Sequence, residues 1–197
     1  MQLHKPDVVE TAAAILDNYG IADLTMRRLA RELDVSAGAL YWHFANKQEL
    51  LGAVADRILQ PAVRDATERD WPTAIRQLAS ALREALLSHT DGAELVSASF
   101  AAGQSTAVLE ILARLRAAAG ESGADPVRAA LTARTVVHYV LGFTGDEQSR
   151  LQWDAAGAVL PAEQSVLDPA TDPGAAFEFG LALLIDGLSV QARAQTS

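Results

Sequence analysis

The chain has 197 residues, of which 50% are hydrophobic, and a formal net charge of −9. This length suits one or two compact domains with enough apolar material for a substantial core. Cysteine is absent, which excludes disulfides, thiolate zinc ligands and thiol nucleophiles. The N-terminal residues lack the apolar core of a signal peptide, and no uninterrupted apolar run approaches about 18 residues. We therefore expect a cytoplasmic protein with no membrane partner.

Apolar residues recur at helical spacing along almost the whole chain, and alanine is abundant. The pattern predicts an all-α fold. The first helix is predicted to begin near Pro6 and to stop at Gly20. Its predicted buried face consists of Val8, Ala12, Ile15, Leu16 and Tyr19.

The remaining helices are predicted from the same spacing and from Gly and Pro positions. One helix runs from Lys47 to about Leu59, where Pro61 is expected to interrupt it. Others are predicted at 72–89, 93–101, 105–119, 126–145 and 174–193. The segment Pro161 to Gly174 is polar, contains three prolines, and is predicted to be a mobile loop.

Residues 25–47 contain signals for two short helices, a tight turn and the start of another helix. Side chains suited to capping helix N-termini stand at Thr25, Ser36 and Asn46. Glu49, three residues after Asn46, forms a variant capping box with it. Hydrophobic staples are predicted for two pairs, Leu24 with Leu29 and Val35 with Leu40. This combination predicts a helix-turn-helix.

The predicted helix-turn-helix also differs from the rest of the chain in charge. Its inward face is predicted to hold Leu29, Ala30, Leu33, Leu40 and Phe44. The segment 25–47 contains four Lys or Arg residues against two acids, so it carries +2 in a chain of net −9. A polyanion such as DNA would prefer this segment.

Two later helices, 127–143 and 175–190, are apolar around most of their circumference and are predicted to be buried on two sides. A second subunit would supply the second side, giving a four-helix interface in a homodimer. Small residues there would permit close approach: Ala175, Gly180, Ala182 and Gly187. The alternative is a purely intramolecular core.

The sequence gives little support for a catalytic function. The four histidines, at 4, 43, 89 and 138, show no metal-ligand spacing. A phosphate-cradling glycine loop and a nucleophile elbow are both missing. We predict that the chain is not an enzyme and holds neither a metal nor a cofactor.

The run LTMRRLARELDVSAGALYWHFANKQELL resembles the DNA-binding domain of the TetR family of bacterial transcriptional repressors. Two later runs resemble the ligand-binding domain of the tetracycline-repressor branch, SHTDGAEL and VVHYVLGFTGDEQ. The resemblance implies a helix-turn-helix DNA-binding domain at 1–46, a connecting helix at 47–60, and a ligand-binding and dimerisation domain at 61–197. Asp34 stands where the family usually has glycine, and a left-handed conformation there would cost about 1 kcal/mol.

The resemblance also implies which residues contact DNA. The reading helix, predicted from Ser36 to Phe44, would place Ala37, Gly38 and Ala39 against base edges. Because none of these three can form a bidentate hydrogen bond, specific reading falls mainly to Arg27 and Tyr41.

Phosphate contacts are implied for Tyr41, His43 and Lys47, although His43 could equally be an ordinary surface residue. Trp42 is interpreted as a core aromatic. The complete predicted DNA-binding set is Thr25, Arg27, Ser36, Ala37, Gly38, Ala39, Tyr41, His43 and Lys47.

A small-molecule site is implied for the second domain. In the tetracycline branch a histidine that ligates the drug-bound Mg²⁺ aligns with Val96, so we predict an apolar organic ligand rather than a tetracycline–Mg²⁺ complex. The predicted contacts are Leu78, Leu82, Val96, Ser99, Phe100, His138, Tyr139, Phe143 and Asp146. Core packing is the alternative for the aliphatic and aromatic members, and a hydrogen-bonded core position for His138.

These features predict a homodimeric repressor that a small organic ligand releases from a palindromic double-stranded DNA operator. The Ala37-Gly38-Ala39 face suggests one alternative, a small-molecule-binding scaffold that no longer reads DNA. A second alternative is a DNA-binding regulator that lacks an inducer or activates transcription.

Overall fold

The computed structural model describes residues 3–64, 70–157 and 172–195, and all regular structure in these ranges is helical. This agrees with the predicted all-α fold. The helices are α1 (Lys5–Tyr19), α2 (Met26–Glu32), α3 (Ala37–Tyr41), α4 (Lys47–Arg64), α5 (Trp71–Leu87), α6 (Gly92–Ala102), α7 (Thr106–Glu121), α8 (Pro126–Ala155) and α9 (Pro173–Gln195).

Helix α1 has the predicted ends. Pro6 lies in its first turn, where a missing N–H costs nothing, and Gly20 ends it with φ 78°. Four of the five residues predicted to be buried are buried: Val8, Ala12, Ile15 and Leu16. The prediction for Tyr19 was wrong, because this side chain is 54% exposed. Its ring instead lies against the Arg28 guanidinium, 3.7 Å from ring centroid to carbon.

Helix α4 continues through Pro61 to Arg64, so the predicted interruption was wrong. Pro61 is exposed, while Leu59 and Ala62 on either side are buried. The burial of these neighbours holds the helix across the one hydrogen bond that proline cannot make.

Helix α8 extends ten residues beyond its predicted end at 145. Thr144 and Gln148 are buried and continue the inward stripe past Gly145. Of the predicted loop Pro161 to Gly174, residues 161–171 lie outside the described ranges, and Pro173 and Gly174 are the first residues of α9.

Packing divides the chain into two compact units. The first unit comprises residues 1–65 and 81–111, and the second comprises residues 66–80 and 112–197. In the first unit, α6 packs along α4, α1 packs on α4 and α2, and α2 packs on α3; in the second, α8 packs on α9. The functional boundaries at 46 and 60 stay predictions.

The first unit contains a close contact between α4 and the turn that leads from α6 to α7. A side chain at Gly52 would overlap the backbone of Gln104, whose carbonyl carbon lies 2.8 Å from the ideal Cβ position. Glycine is therefore needed at position 52 for the two segments to approach this closely.

A second contact in the first unit joins α1 to the turn between α5 and α6. The Asp17 carboxylate lies 3.0 Å from His89 Nδ1 and accepts a hydrogen bond from the Thr90 N–H. Asp91, in a left-handed conformation with φ 53°, accepts from the Ile21 N–H at 2.8 Å. Both ends of α6 are thus tied to helices of the N-terminal region.

Among the described helices, the segment Pro173–Gln191 of α9 is long and apolar enough to cross a membrane, with a mean hydropathy of 1.4. Helices α6 and α7 meet the same criterion only as a pair bent by 83°. A helix that is packed between protein surfaces on two sides has the same composition.

Candidate nucleic-acid interface

Helices α2 and α3 form the predicted helix-turn-helix. The turn passes through Asp34, which has φ 51° and so adopts the left-handed conformation anticipated at this position. The Val35 N–H donates to the Ala30 carbonyl at 2.9 Å and closes the turn. Leu24, Leu29, Leu40 and Phe44 are fully buried, whereas Leu33 and Val35 are half-buried.

Each predicted cap makes the expected hydrogen bond. Thr25 Oγ1 accepts from the Arg28 N–H at 3.1 Å, and Ser36 Oγ accepts from the Ala39 N–H at 3.2 Å. Asn46 Oδ1 accepts from the Glu49 N–H, and Glu49 Oε2 accepts from the Ala45 N–H, both at 2.9 Å. In a standard capping box, Glu49 would accept a hydrogen bond from the backbone N–H of the capping residue, Asn46. Here the donor is the Ala45 N–H, so the capping box is a variant.

The reading helix is shorter than predicted. Helix α3 covers Ala37–Tyr41 rather than extending to Phe44, because the chain tightens into a turn in which His43 and Phe44 N–H groups both bond to the Leu40 carbonyl. Ala37 and Gly38 are exposed and Ala39 is half-buried. The first turn of α3 therefore presents backbone and methyl groups to solvent.

The polar side chains predicted to contact DNA are also accessible. Arg27 is exposed, Tyr41 is 52% exposed, and His43 and Lys47 are half-buried. All nine predicted DNA-binding residues belong to the first compact unit. Two of them, Thr25 and Ser36, use their hydroxyl groups as helix caps.

The interpretation of Trp42 as a core aromatic was wrong, because this side chain is 91% exposed. Leu40 and Phe44 are one helical turn apart and both fully buried, so a residue midway between them faces the opposite direction. That spacing was a usable signal in the sequence. An exposed tryptophan directly after Tyr41 adds an aromatic group that the sequence analysis missed.

Arginines 27 and 28 have different surroundings. Arg28 Nη1 lies 2.7 Å from Asp23 Oδ1, and its guanidinium covers the Tyr19 ring. This side chain is therefore held against its own domain. Arg27 and Arg31 are exposed, and Arg27 is the one that follows the Thr25 cap within two residues.

The predicted ligand contacts fall into both compact units. Leu82, Val96, Ser99 and Phe100 belong to the first unit; Leu78, His138, Tyr139, Phe143 and Asp146 belong to the second. Leu82, Val96 and Ser99 are buried, and Ser99 Oγ has no hydrogen-bond partner within the described residues. Leu78 is buried and Phe100 half-buried.

Within the second unit, the structure joins only part of the predicted set. Tyr139 and Phe143 are half-buried and form an aromatic cluster with Phe177, with centroids 5.4 to 5.8 Å apart. The Tyr139 hydroxyl donates to the Phe177 carbonyl at 2.8 Å. Phe177 was not predicted from the sequence. The sequence analysis assigns this part of the chain to a subunit interface, so it does not identify Phe177 as a core residue of its own protomer.

His138 and Asp146 are exposed on α8. The alternative interpretation of His138 as a core residue was wrong, because the buried stripe of α8 passes through Val136, Val137, Val140 and Leu141. His138 lies about two helical turns after the exposed Leu131 and therefore on the same exposed face of α8. Within the described ranges, no group of three or more His, Asp or Glu side chains is arranged to hold a metal ion.

The outer face of α8 and α9 carries several large apolar side chains. Among those exposed are Val127, Leu131, Phe179, Leu183 and Val190. Between the N-terminal half of α8 and the C-terminal half of α9 lies an open groove of about 360 Å³, lined partly by Leu131, Leu183 and Gly187. Apart from the backbone of α9 itself, no atom of the described residues lies within 4 Å of a Cβ placed at Gly187, so the groove is open there.

Two family models match the chain. Residues 8–54 match the model described as bacterial regulatory proteins, tetR family, and residues 65–192 match the tetracyclin repressor-like C-terminal domain. The chain is 33% identical over 201 residues to the tetracycline repressor protein class A from transposon 1721 of Escherichia coli. That match covers 95% of this chain and 91% of the repressor.

Solved structures extend the similarity to the fold. The crystal structure of Mycobacterium smegmatis BioQ is 60% identical, with a TM-score of 0.88 and coverage of 96% of this chain and 99% of that one. A crystal structure of BioQ with its natural double-stranded DNA operator is 58% identical, with a TM-score of 0.82 and coverage of 95% and 99%. The chain therefore belongs to the tetR family of bacterial regulatory proteins, with a tetracycline-repressor-like C-terminal domain.

Proposed function

We propose that this protein is a homodimeric transcriptional repressor that binds a near-palindromic DNA operator and is released from it by a small organic ligand. The observation that carries the proposal is the exposed first turn of α3, held by the Thr25 and Ser36 caps in a helix-turn-helix. A relative 58% identical to this chain has been crystallised with its double-stranded DNA operator. The local charge of +2 in a chain of −9 supports the same surface.

Helix α3 would enter the major groove, where Ala37, Gly38 and Ala39 offer methyl contacts and close backbone approach. Arg27 would supply the polar base contact. Tyr41, His43 and Lys47 would bind phosphates, aided by the N–H groups at the start of α4. Thr25 and Ser36 contribute by fixing the entry of α2 and α3 through their caps.

Trp42 joins this proposed surface because of its exposure. An indole that is 91% exposed leaves much apolar area in water unless a partner covers it. Its neighbour Tyr41 is a proposed phosphate contact, so sugar and backbone atoms of the same DNA strand would lie within reach. We assign Trp42 to contact with the DNA backbone rather than to base reading.

The apolar face of α8 and α9 supports the homodimer. Leu131, Leu183 and Val190 are exposed there, and an isologous contact between two copies would cover them with a four-helix interface. Two of the small residues predicted to ease this contact differ in their surroundings. The space beside Gly187 is open, whereas the space beside Gly180 is filled by the Tyr139 ring of the same chain. Gly180 therefore serves packing within the protomer.

A ligand response requires α6 to be coupled to the DNA-reading helices. Helix α6 carries three of the proposed ligand contacts, Val96, Ser99 and Phe100. Its C-terminal end contacts α4 at Gly52, and α4 begins at Lys47. A ligand that binds one position of α6 more tightly than another would therefore bias the position of α4.

The proposed ligand is an apolar organic molecule. Val96 occupies the position where the tetracycline branch has its metal-binding histidine, and Ser99 Oγ supplies a buried polar group without a partner among the described residues. A small number of such polar groups in an apolar site orients a ligand. We propose no catalytic role and a cytoplasmic location, where the chain would meet DNA.

The test is selection of bound duplexes from a random DNA pool by the purified protein at near-physiological salt, followed by sequencing. An enriched near-palindrome with half-sites about one helical turn or slightly more apart supports a dimeric sequence reader. A folded, dimeric protein that enriches no sequence would instead favour the small-molecule-binding scaffold. A selected duplex that no ligand releases would favour the regulator without an inducer.

A further inference from the structure

The start of α1 meets the first turn of α4 through an exposed ion pair. Lys5 Nζ lies 3.4 Å from Glu49 Oε1 and 4.6 Å from the centroid of the Phe44 ring. The side chains of Lys5 and Glu49 are 52% and 39% exposed. Glu49 is in the same turn as Lys47, the first residue of α4 and a proposed phosphate contact.

Glu49 is needed where it stands, because it caps the turn that precedes α4. Its Oε2 accepts from the Ala45 N–H at 2.9 Å, while its own N–H donates to Asn46 Oδ1. The hydrogen bond from the Ala45 N–H lowers the pKa of Glu49 below its usual value. Desolvation opposes this effect, and the hydrogen bond and charge of Lys5 each add a smaller lowering. The carboxylate is therefore fully charged at neutral pH.

A carboxylate at this place opposes the proposed interface. One helical turn measures about 5.4 Å along the axis, which is shorter than the Debye length of about 8 Å at physiological ionic strength. A phosphate held at the start of α4 by Lys47 would therefore feel the repulsion of Glu49. The positively charged Lys5 ammonium lies next to that carboxylate and offsets its negative charge.

We propose that Lys5 is an electrostatic positioning residue of the DNA interface, which neutralises Glu49 so that the capped start of α4 can receive a DNA phosphate. The inference rests on the proposed function and adds to it a residue outside the predicted contact set. Lys5 acts through Glu49 and need not touch DNA itself. The ion pair with Glu49 also holds the Lys5 ammonium beside α4, and an ammonium released into solvent would be screened by water and salt. The contribution of Lys5 therefore depends on the presence of the Glu49 carboxylate.

The chain contains a matched control pair. Arg57 on α4 pairs with Glu10 on α1, so the same two helices are joined by a second exposed ion pair. Arg57 lies eight residues after Glu49, about 12 Å further along α4. Removing this pair removes a similar link between α1 and α4, but at a distance from the proposed DNA phosphate where screening is strong.

The experiment measures the affinity for the selected duplex at about 0.1 M salt with Lys5→Ala, Glu49→Gln, the double variant and Arg57→Ala. We expect Lys5→Ala to weaken binding about three- to eightfold, because it leaves the Glu49 carboxylate unpaired within about one Debye length of the phosphate. In the Glu49→Gln background the same substitution should change affinity less than about twofold. Arg57→Ala should also stay within about twofold of the wild type.

Three results would overturn the inference. The first is that Lys5→Ala leaves the affinity unchanged in both backgrounds, and the second is that it lowers the affinity equally in both. The third is that Arg57→Ala lowers the affinity as much as Lys5→Ala, which would make the loss an effect of α1–α4 packing. Thermal midpoints by circular dichroism confirm that each variant is folded. If the wild type selects no duplex, the proposed function fails as well; if the wild type binds and Lys5→Ala equals it, only this inference fails.

Discussion

Ser105, just before α7, donates a hydrogen bond of 2.7 Å to Asp56, in the middle of α4. The same carboxylate accepts from the Thr106 hydroxyl at 2.7 Å and from the Ala107 N–H at 2.8 Å. One side chain of α4 thus caps the start of α7. Together with the close approach at Gly52, it fixes α4 to the corner that follows α6.

Asp56→Ala should lower the free energy of unfolding by about 2–3 kcal/mol, because it removes charge-assisted hydrogen bonds and leaves buried partners unsatisfied. Ser105 is 2% exposed and cannot turn to water instead. Urea unfolding followed by circular dichroism measures the change. Asp146→Ala, at an exposed site on α8, is the control. Equal midpoints for the two variants would contradict the role assigned to Asp56.

Gly52→Ala should destabilise the first unit by about 1–3 kcal/mol, since the added methyl group meets backbone rather than a flexible side chain. Gly120→Ala lies in α7, where the described residues place no atom outside the helix's own backbone within 4 Å of the new methyl group. It should be neutral or stabilising by up to about 1 kcal/mol. Thermal and urea unfolding of the two variants test this contrast. A stable Gly52→Ala protein would show that the contact with Gln104 can relax.

Leu183→Glu should convert the proposed dimer into monomers, because it places a charge in the α8–α9 face. Leu109→Glu is matched to it, since Leu109 is 57% exposed on α7 and Leu183 is 58% exposed on α9. Sedimentation velocity at micromolar concentration distinguishes the two. Loss of dimer in both variants, or in neither, would remove the proposed interface.

Trp42→Ala should weaken DNA binding by about fivefold or more, the amount expected for about 1 kcal/mol of lost contact. It should leave the unfolding midpoint unchanged, because the side chain is 91% exposed. Leu40→Ala, two residues away and fully buried, should do the reverse and lower stability by about 2–5 kcal/mol. A large stability loss in Trp42→Ala would restore its interpretation as a core aromatic.

Lys47→Ala and Arg27→Ala should affect DNA binding in different ways. Loss of the phosphate contact at Lys47 should weaken binding to all duplexes and reduce the salt slope by about one unit. Loss of Arg27 should also reduce the preference for the selected sequence over a scrambled one, by about 1–3 kcal/mol. Fluorescence anisotropy with both duplexes over a range of salt provides the comparison. Unchanged operator binding in both variants would refute the contact map.

Local signals predicted the N-terminal region well. The caps at Thr25, Ser36 and Asn46, and the left-handed turn at Asp34, depend on neighbouring residues, so short-range spacing is sufficient to locate them. Local spacing could also have prevented one of the wrong predictions. Trp42 lies midway between two inward residues, and helical geometry alone would have placed it outside.

Other features depended on packing that the sequence does not state. Pro61 lies within a helix because buried neighbours hold it there, and the Tyr19 ring packs against Arg28 at the surface rather than in the core. The nine ligand candidates were chosen by family position and apolar character. Those criteria cannot tell buried Val96 from exposed His138, because the inward stripe of each helix is set by its packing partners.

The most direct test of the central claim is the affinity of the wild-type dimer for the selected duplex and for a scrambled duplex of equal length. The account predicts two chains per selected duplex and a preference of about a thousandfold or more at physiological salt. Both affinities should fall as salt rises, since phosphate contacts contribute to each. Equal affinities for the two duplexes would contradict the claim that this chain reads a DNA sequence.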